Sequence, residues 1–108
     1  MEEFTRKEEQ VLLAIHFLKD NAMLNTIQKR IKQFTGKEYS LGTIYVPLNR
    51  LHMKGYLSAE QKKVHGSNKP VRYYTITESG YKALAELKRR TDEMWIGFSN
   101  PAIEDADI

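Results

Sequence analysis

The sequence feature that most constrains the fold is the stretch 40–55, which predicts a short helix with two unlike faces. Ser40 suits the N-cap, because its hydroxyl can accept a hydrogen bond from a backbone N–H in the next turn. Gly55 suits the left-handed turn that ends a helix. The apolar face, suited to a core, comprises Ile44, Leu48 and Leu51. The opposite face comprises Gly42, Val46, Asn49 and Met53, flanked by Tyr45 on one side and by Thr43 and Arg50 on the other. This outward face is small, polar and aromatic and carries no acid.

Two further helices are predicted before this stretch. The first starts with a capping box formed by Thr5 and Glu8, and its body at 10–18 is apolar almost all the way round, which predicts burial on both faces. The second is predicted to start near Asn25, with Gln28 in position for a reciprocal cap. Its core stripe comprises Leu24, Ile27, Ile31 and Phe34. Two short helices joined by a glycine-containing turn, the second with a sparse polar outer face, predict a helix-turn-helix.

A β-hairpin is predicted after this pair of helices. Residues 71–77 are β-branched and aromatic, 56–64 form a weaker strand, and 65–70 are dense in turn formers. The basic side chains of the hairpin are Lys62, Lys63, His65, Lys69 and Arg72. A basic hairpin after a helix-turn-helix is typical of a wing, which contacts the phosphate backbone while the helix lies in the groove.

A last helix is capped by Thr77 and predicted to run to Phe98. Its apolar positions recur at alternating intervals of three and four residues, which indicates a seam of two heptads. Because the first helix is also apolar on both faces, we expect these two helices to pack on a second copy of the chain. The predicted dimer-interface residues are Val11, Ile15, Leu84, Leu87, Met94 and Phe98. The alternative is that so short a seam serves only the chain's own core.

The predicted fold is therefore mostly α-helical with a small β-hairpin wing. We expect a winged helix-turn-helix DNA-binding domain over residues 1–76, a C-terminal dimerisation helix over 77–98 and a disordered acidic tail over 99–108. A length of 108 residues suffices for a single modest core, and the absence of cysteine excludes disulfides and thiolate metal sites.

Charge is distributed unevenly along the chain. Residues 28–72 contain ten basic and two acidic residues, a balance of +8, whereas the rest contains seven basic and twelve acidic residues, a balance of −5. A basic middle between acidic ends predicts a surface that faces a polyanion, with a merely solvated face as the alternative. The predicted DNA contacts are Ser40, Thr43, Tyr45, Val46, Asn49, Arg50, Lys62, Lys63, Lys69 and Arg72. Among them the wing residues are expected to neutralise phosphates, Asn49 to contact a base and Val46 a thymine methyl.

The sequence gives no support for catalysis or a bound cofactor. The three histidines are isolated from one another, no acid cluster has metal-ligand spacing, and no glycine-rich phosphate loop is present. We therefore expect neither an enzyme, nor a cofactor, nor a metal site. No apolar run approaches the roughly 20 residues that span a bilayer, and the acidic N-terminus is unlike a signal peptide. A cytoplasmic location without membrane contact is the expectation.

Three motifs resemble those of the PadR-like winged-helix transcriptional regulators: Ser-x-Gly-Thr-Ile-Tyr at 40–45, Leu-x-x-Leu-x-x-x-Gly-Tyr-Leu at 48–57, and Arg-Tyr-Tyr-x-Ile-Thr-x-x-Gly at 72–80. The resemblance implies a homodimeric repressor that binds a pseudo-palindromic operator. It also implies that the first and last helices form the dimer interface and that the helix with the first motif enters the major groove. Many members respond to small aromatic molecules, so the resemblance implies such an effector as well.

Two departures from the family pattern are visible. Members often have proline directly after the tyrosine, whereas here Val46 intervenes and Pro47 follows. A proline at this position removes the helix hydrogen bond to the Thr43 carbonyl, so we expect either a kink or a loose first turn. The Tyr-Gly pair common near the start of the family's second helix is also missing, which affects the expected ligand contacts there more than the fold.

A winged-helix module that senses a ligand or binds a protein, without acting on DNA, is the alternative function. It rests on Trp95, the only tryptophan, which lies beside the predicted dimer seam. Two copies related by a twofold axis would hold a flat aromatic ligand between their tryptophans. A buried structural tryptophan is the simpler interpretation.

Overall fold

The computed structural model describes residues 4–63, 66 and 68–99. In chain order these form α1 (Arg6–Leu18), a 3-10 turn (Lys19–Asn21), α2 (Leu24–Thr35), α3 (Leu41–Met53), β1 (Leu57–Lys63), β2 (Pro70–Ile76) and α4 (Glu78–Met94). The strands pair antiparallel, with Leu57 opposite Ile76 and Lys63 opposite Pro70. The predicted fold class, mostly α-helical with a small β-hairpin, is confirmed. None of the helices in these residues is long and apolar enough to cross a bilayer.

The helix α1 starts with the predicted capping box. The Thr5 hydroxyl accepts the Glu8 N–H at 3.1 Å, and the Glu8 carboxylate accepts the Thr5 N–H at 3.2 Å. Val11 and Ile15, predicted at the dimer interface, are buried in the chain's own core. The apolar side chains that α1 leaves exposed are Leu13 and Phe17, on its other face.

The helix α2 is capped differently from the prediction. It begins at Leu24, after Met23, whose N–H donates to the Thr26 hydroxyl at 2.9 Å. Gln28 does not cap the helix, because its amide group donates to the Tyr39 carbonyl at 2.6 Å instead. Phe34, predicted in the core, is 43 % exposed because it lies at the end of the helix, where its ring faces the Arg30 guanidinium at 5.9 Å.

The helix α3 has the predicted bounds. The Ser40 hydroxyl accepts the Thr43 N–H at 3.2 Å, and Gly55 adopts a positive φ of 84° beyond the last turn. The helix runs from Leu41 to Met53 with Pro47 inside it. Pro47 is buried, three residues after Ile44 on the apolar stripe. The Pro47 ring therefore packs in the core, although proline has no N–H to make the helix hydrogen bond at this position.

The core lies between α1, α2 and α3 and reaches the base of the hairpin. Its buried apolar side chains are Val11, Leu12, Ala14, Ile15, Ala22, Ile27, Ile31, Ile44, Leu48, Leu51, Leu57, Tyr74 and Ile76. The Tyr74 amide also donates to the Ala22 carbonyl at 2.8 Å, so β2 is tied to the end of the 3-10 turn. Tyr73 points to the opposite side of the strand, as the alternation of the sequence predicts. His65, predicted at the tip of the wing, lies outside the described residues.

A tight joint connects the start of α4 to the end of α3. The Gly55 carbonyl accepts hydrogen bonds from the hydroxyls of Thr77 at 2.7 Å and Ser79 at 3.0 Å. The Thr77 N–H donates to the Tyr56 carbonyl at 3.0 Å, while the Thr77 hydroxyl also caps α4 by accepting the Gly80 N–H at 3.1 Å. The first turn of α4 is therefore held directly against the segment that follows α3.

The rest of α4 projects away from the core. The radius of gyration is 16.8 Å, whereas about 13 Å is expected for a compact chain of this length. The helix ends at Met94 rather than continuing to Phe98, and Gly97 takes a positive φ of 81°. Phe98 turns back so that its ring meets that of Trp95 edge-on, with centroids 4.9 Å apart. Apart from its first residue, the predicted acidic tail 99–108 lies outside the described residues.

Candidate nucleic-acid interface

The start of α3 is fixed by its neighbours. The Ser40 and Thr43 hydroxyls are 2.8 Å apart and hydrogen-bonded to each other. Just before them, the Tyr39 carbonyl accepts the bond from Gln28, and the Lys7 ammonium lies 5.1 Å from the centre of the Tyr39 ring. Ser40 and Thr43 therefore follow a residue, Tyr39, that contacts both α1 and α2.

The outward face of α3 forms an open groove of about 460 Å³. The groove is lined by Tyr45, Val46, Asn49, Arg50, Met53 and Lys54. Val46 is 54 % exposed, whereas Asn49 is half-buried and its amide nitrogen lies 3.6 Å from the Met53 sulfur. Four of the predicted DNA contacts are thus brought to one surface: an exposed apolar side chain, a carboxamide, a phenol and a guanidinium.

A buried carboxylate behind this face is the feature that the sequence interpretation missed. Glu8 is 1 % exposed, and its two oxygens lie 3.7 Å from the Arg50 guanidinium and 3.7 Å from the Lys54 ammonium. Arg50, predicted to contact DNA, is therefore ion-paired within the chain. The sequence carries part of the signal, since Arg50 and Lys54 are four residues apart on one side of α3. The approach of α1 to that side depends on tertiary packing.

The hairpin register divides the basic residues of the wing between its two faces. Residues directly opposite each other point to the same face, so Gln61, Arg72, Lys63 and Pro70 share the face of the buried Tyr74. Lys62 points to the other face, where its ammonium lies 3.9 Å from the Glu60 carboxylate and 5.7 Å from the Tyr73 ring. Lys69 is exposed near the end of the hairpin.

Tyr74 connects the wing to α3. Its ring meets His52 of α3 edge-on at 6.3 Å between centroids, and the Arg72 guanidinium lies 5.8 Å from the ring centre. Burial raises the pKa of Tyr74 above its ordinary value; Arg72 opposes this shift, while Tyr45 of α3 adds to it. Arg72 of the wing and His52 of α3 therefore both face the Tyr74 ring, which places this wing face beside α3.

A second surface lies between α1 and α4. It is an open, mainly apolar groove of about 450 Å³, lined among others by Leu13, His16, Tyr81, Leu84 and Leu87. His16 Nδ1 lies 3.4 Å from the Tyr81 hydroxyl across the groove. Beyond it, Met94 is 80 % and Phe98 63 % exposed, and Trp95 is also exposed in the single chain. Of the predicted interface residues, Leu84 and Leu87 thus line the groove, and Met94 and Phe98 extend past its end.

Within the described part of the chain, no group of three or more histidine, aspartate and glutamate side chains is placed to hold a metal ion.

The comparisons with known proteins agree with this geometry. The model of the transcriptional regulator PadR-like family matches residues 16–86, about two thirds of the chain. The chain belongs to the PadR-like family. Members of this family are transcription regulators and not enzymes, so this chain is a DNA-binding transcriptional regulator with a winged-helix fold.

Solved structures of PadR-like proteins superimpose on this regulator. A PadR-like transcription factor from Bacteroides fragilis is 28 % identical, with a TM-score of 0.72 over 82 % of this chain and 85 % of its own. A PadR family transcription regulator from Clostridium difficile is 19 % identical, with a TM-score of 0.73 over 83 % and 91 % of the two chains.

A third solved structure is that of BpsR from Bordetella bronchiseptica, a protein whose DNA binding is regulated by 6-hydroxynicotinic acid. It is 20 % identical, with a TM-score of 0.65 over 95 % of this chain and 73 % of its own. A comparison with curated proteins gave no significant match.

Proposed function

We propose that this PadR-like regulator is a homodimeric repressor that binds a pseudo-palindromic operator, with one α3 and one wing on each half-site. The observation that carries the proposal is the junction of two surfaces at Tyr74, whose ring meets that of His52 of α3 edge-on at 6.3 Å between centroids. One surface is the acid-free outer face of α3, and the other is the wing face that bears Lys63 and Arg72. A helix for the major groove and a basic arm for the adjacent backbone are thereby held side by side.

The proposed contacts follow from the chemistry of each side chain. Asn49 suits the paired donor and acceptor of an adenine edge, and the exposed Val46 suits a thymine methyl. Ser40, Thr43 and Tyr45 lie at or near the α3 N-terminus, where hydroxyls and free N–H groups suit a phosphate. On the wing, the proposed phosphate contacts are Lys63, Arg72 and Lys69, with Lys62 on the far face beside Glu60.

The proposed dimer uses α4 and the groove that α4 forms with α1. Leu84 and Leu87 line this groove, and the apolar residues at the end of α4 are exposed in the single chain. A second copy would cover this apolar surface, and α1 would contribute Leu13 and Phe17 rather than its core-facing residues. Two α3 helices would then be expected about 34 Å apart, one turn of DNA, on the two half-sites.

Release by a small aromatic effector is the proposed mode of regulation. The exposed Trp95 and the apolar groove beside α4 support it, because both offer flat or apolar contact to an aromatic molecule. The regulation of BpsR by 6-hydroxynicotinic acid is a precedent on the same fold. An effector that prefers one spacing of the two subunits would change the DNA affinity by differential binding to the two states.

The proposal is tested by recovering bound DNA from sheared genomic fragments with purified protein. Enrichment of sites with twofold-related halves is expected, and failure to enrich any site would contradict an operator-binding function. A salt titration of one recovered site then tests the phosphate contacts. Six contacts predict a slope of about −5 in a plot of log affinity against log salt, and a flat response would contradict them.

The same samples separate this proposal from a ligand-sensing module that does not act on DNA. Planar aromatic compounds are added while the fluorescence of Trp95 and the DNA affinity are both measured. Quenching together with a change in affinity supports an effector-controlled regulator. Quenching in a protein that enriches no DNA would favour the ligand-sensing module. Trp95→Ala, with folding verified by circular dichroism, contains no tryptophan, so the control is whether the compound still changes its DNA affinity.

A further inference from the structure

The ion pairs of Glu8 join the cap of α1 to the basic side of α3. Its carboxylate oxygen Oε1 accepts the Thr5 N–H and lies 3.7 Å from Arg50 Nη1. The other oxygen, Oε2, lies 3.7 Å from Lys54 Nζ and accepts no hydrogen bond from the residues that the structure describes. At these distances the pairs act through charge rather than through directional hydrogen bonds. One buried negative charge thus faces two cations of the DNA-facing helix.

The two cations differ from Glu8 in their access to water. The Arg50 side chain is 47 % exposed and that of Lys54 is 30 % exposed, whereas the Glu8 side chain is 2 % exposed. Both cations also line the groove that contains Val46 and Asn49. The Arg50 stem can therefore extend toward a phosphate, while the carboxylate that attracts it stays fixed by the capping box.

We propose that Glu8 is a positioning residue that restrains sequence-independent DNA binding. By holding Arg50 back against α1, it removes one positive charge from the backbone contacts beside the base-contacting residues. The affinity then depends more on Asn49 and Val46 and less on phosphate attraction. This inference rests on the proposed DNA-binding function and adds a determinant of its specificity, because phosphate contacts carry no sequence information.

The magnitude follows from counterion release. Each phosphate neutralised contributes about 0.9 to the slope of log affinity against log salt, so release of Arg50 steepens the slope by about 0.9 per subunit. Between about 50 and 200 mM salt, a slope larger by 0.9 corresponds to an additional affinity loss of about 3.5-fold.

The test compares Glu8→Gln with Glu78→Gln in the whole chain, using a labelled DNA duplex of arbitrary sequence. Glutamine at position 8 keeps an oxygen for the Thr5 N–H and is accepted in a capping box, so only the charge is removed. Glu78 also lies in the first turn of a helix, but it is exposed and pairs with Lys82 on α4, so its substitution matches the charge change away from Arg50. Adding Arg50→Gln to Glu8→Gln should reverse the gain.

A steeper salt slope and tighter binding at low salt in Glu8→Gln, with little change in Glu78→Gln, is the expected result. Equal slopes in the two variants would overturn the proposal, since a purely structural role for Glu8 would not change the number of phosphate contacts. If Glu8→Gln does not fold, Arg50→Gln in the wild-type background is informative on its own. A slope reduced by much less than 0.9 supports the proposal, and a full reduction of about 0.9 refutes it.

The outcome is distinguishable from failure of the proposed function. A wild-type protein that binds no DNA at any salt concentration would refute both. A wild-type protein that binds DNA with a steep salt dependence, and whose slope is unaffected by Glu8→Gln, would refute only the role of Glu8.

Discussion

Gly80, in the first turn of α4, is the position at which a single added methyl group should do the most damage to the joint with α3. A Cβ atom at this position would lie 2.3 Å from the Tyr56 carbonyl oxygen and 2.7 Å from a methyl carbon of Ile76. Ordinary contacts begin near 3.4 Å, so Gly80→Ala requires a backbone shift of about 1 Å. The Tyr56 carbonyl has little freedom to shift, because it already accepts the Thr77 N–H at 3.0 Å.

The expected cost combines opposing effects. Overpacking a tight site costs about 1–3 kcal/mol, and loss of the Thr77 hydrogen bond costs about 1 kcal/mol more. The better helix propensity of alanine returns up to about 1 kcal/mol. A net destabilisation of about 2 kcal/mol follows, which corresponds to a fall in Tm of roughly 10 °C for a domain of this size.

The measurement is thermal and urea denaturation followed by circular dichroism at one fixed protein concentration. Gly42→Ala is the matched control, since Gly42 also lies in the first turn of a helix and a Cβ there meets nothing within 4 Å. This control should leave the free energy of unfolding unchanged or raise it by up to about 1 kcal/mol. Equal stability of the two alanine variants would refute the close contact at Gly80.

Three further substitutions test the proposed interfaces. Lys63→Gln should reduce the slope of log affinity against log salt by about 0.9, whereas Lys62→Gln, on the face with Glu60, should change this slope much less. Equal effects of the two substitutions would contradict the assignment of the two lysines to opposite faces of the wing. Asn49→Ala should weaken binding to a recovered operator by about 1–3 kcal/mol and leave binding to random DNA unchanged. An equal loss of affinity for both DNAs would show that Asn49 does not contact a base. Leu87→Glu should halve the molecular mass in light scattering, while Lys82→Gln should leave the mass unchanged; an unaltered mass in the leucine variant would exclude α4 from the dimer interface.

The features that depend on near neighbours in sequence were predictable. The caps at Thr5, Ser40 and Thr77 each join a side chain to an amide three residues on, so the pattern of residue types suffices to locate them. The bounds of α3 and the alternation of Tyr73 and Tyr74 follow for the same reason.

The features that depend on how the helices cross were not predictable. The pairing of Glu8 with the basic side of α3 and the tether from Gln28 to Tyr39 link residues that packing brings together. The apolar spacing of α4 predicted a helix to position 98, but the helix ends at Met94 and the chain turns at Gly97. The prediction was wrong because it relied on the apolar spacing and not on the glycine. Similarly, apolar residues all round α1 suggested two buried faces without indicating which one the chain itself would cover.

The joint between α3 and α4 couples the orientation of α4 to that of the proposed DNA-contacting helix. Seventeen residues at 1.5 Å per residue give α4 a length of about 25 Å, so a tilt of about 10° at its first turn moves its far end by about 4 Å. Because the hydroxyls of Thr77 and Ser79 donate to the Gly55 carbonyl, a tilt of α4 at its first turn also moves the segment that ends α3. In the proposed dimer, a molecule that binds near Trp95 would thus act at the C-terminal end of α4. The resulting tilt of α4 would alter the separation of the two α3 helices.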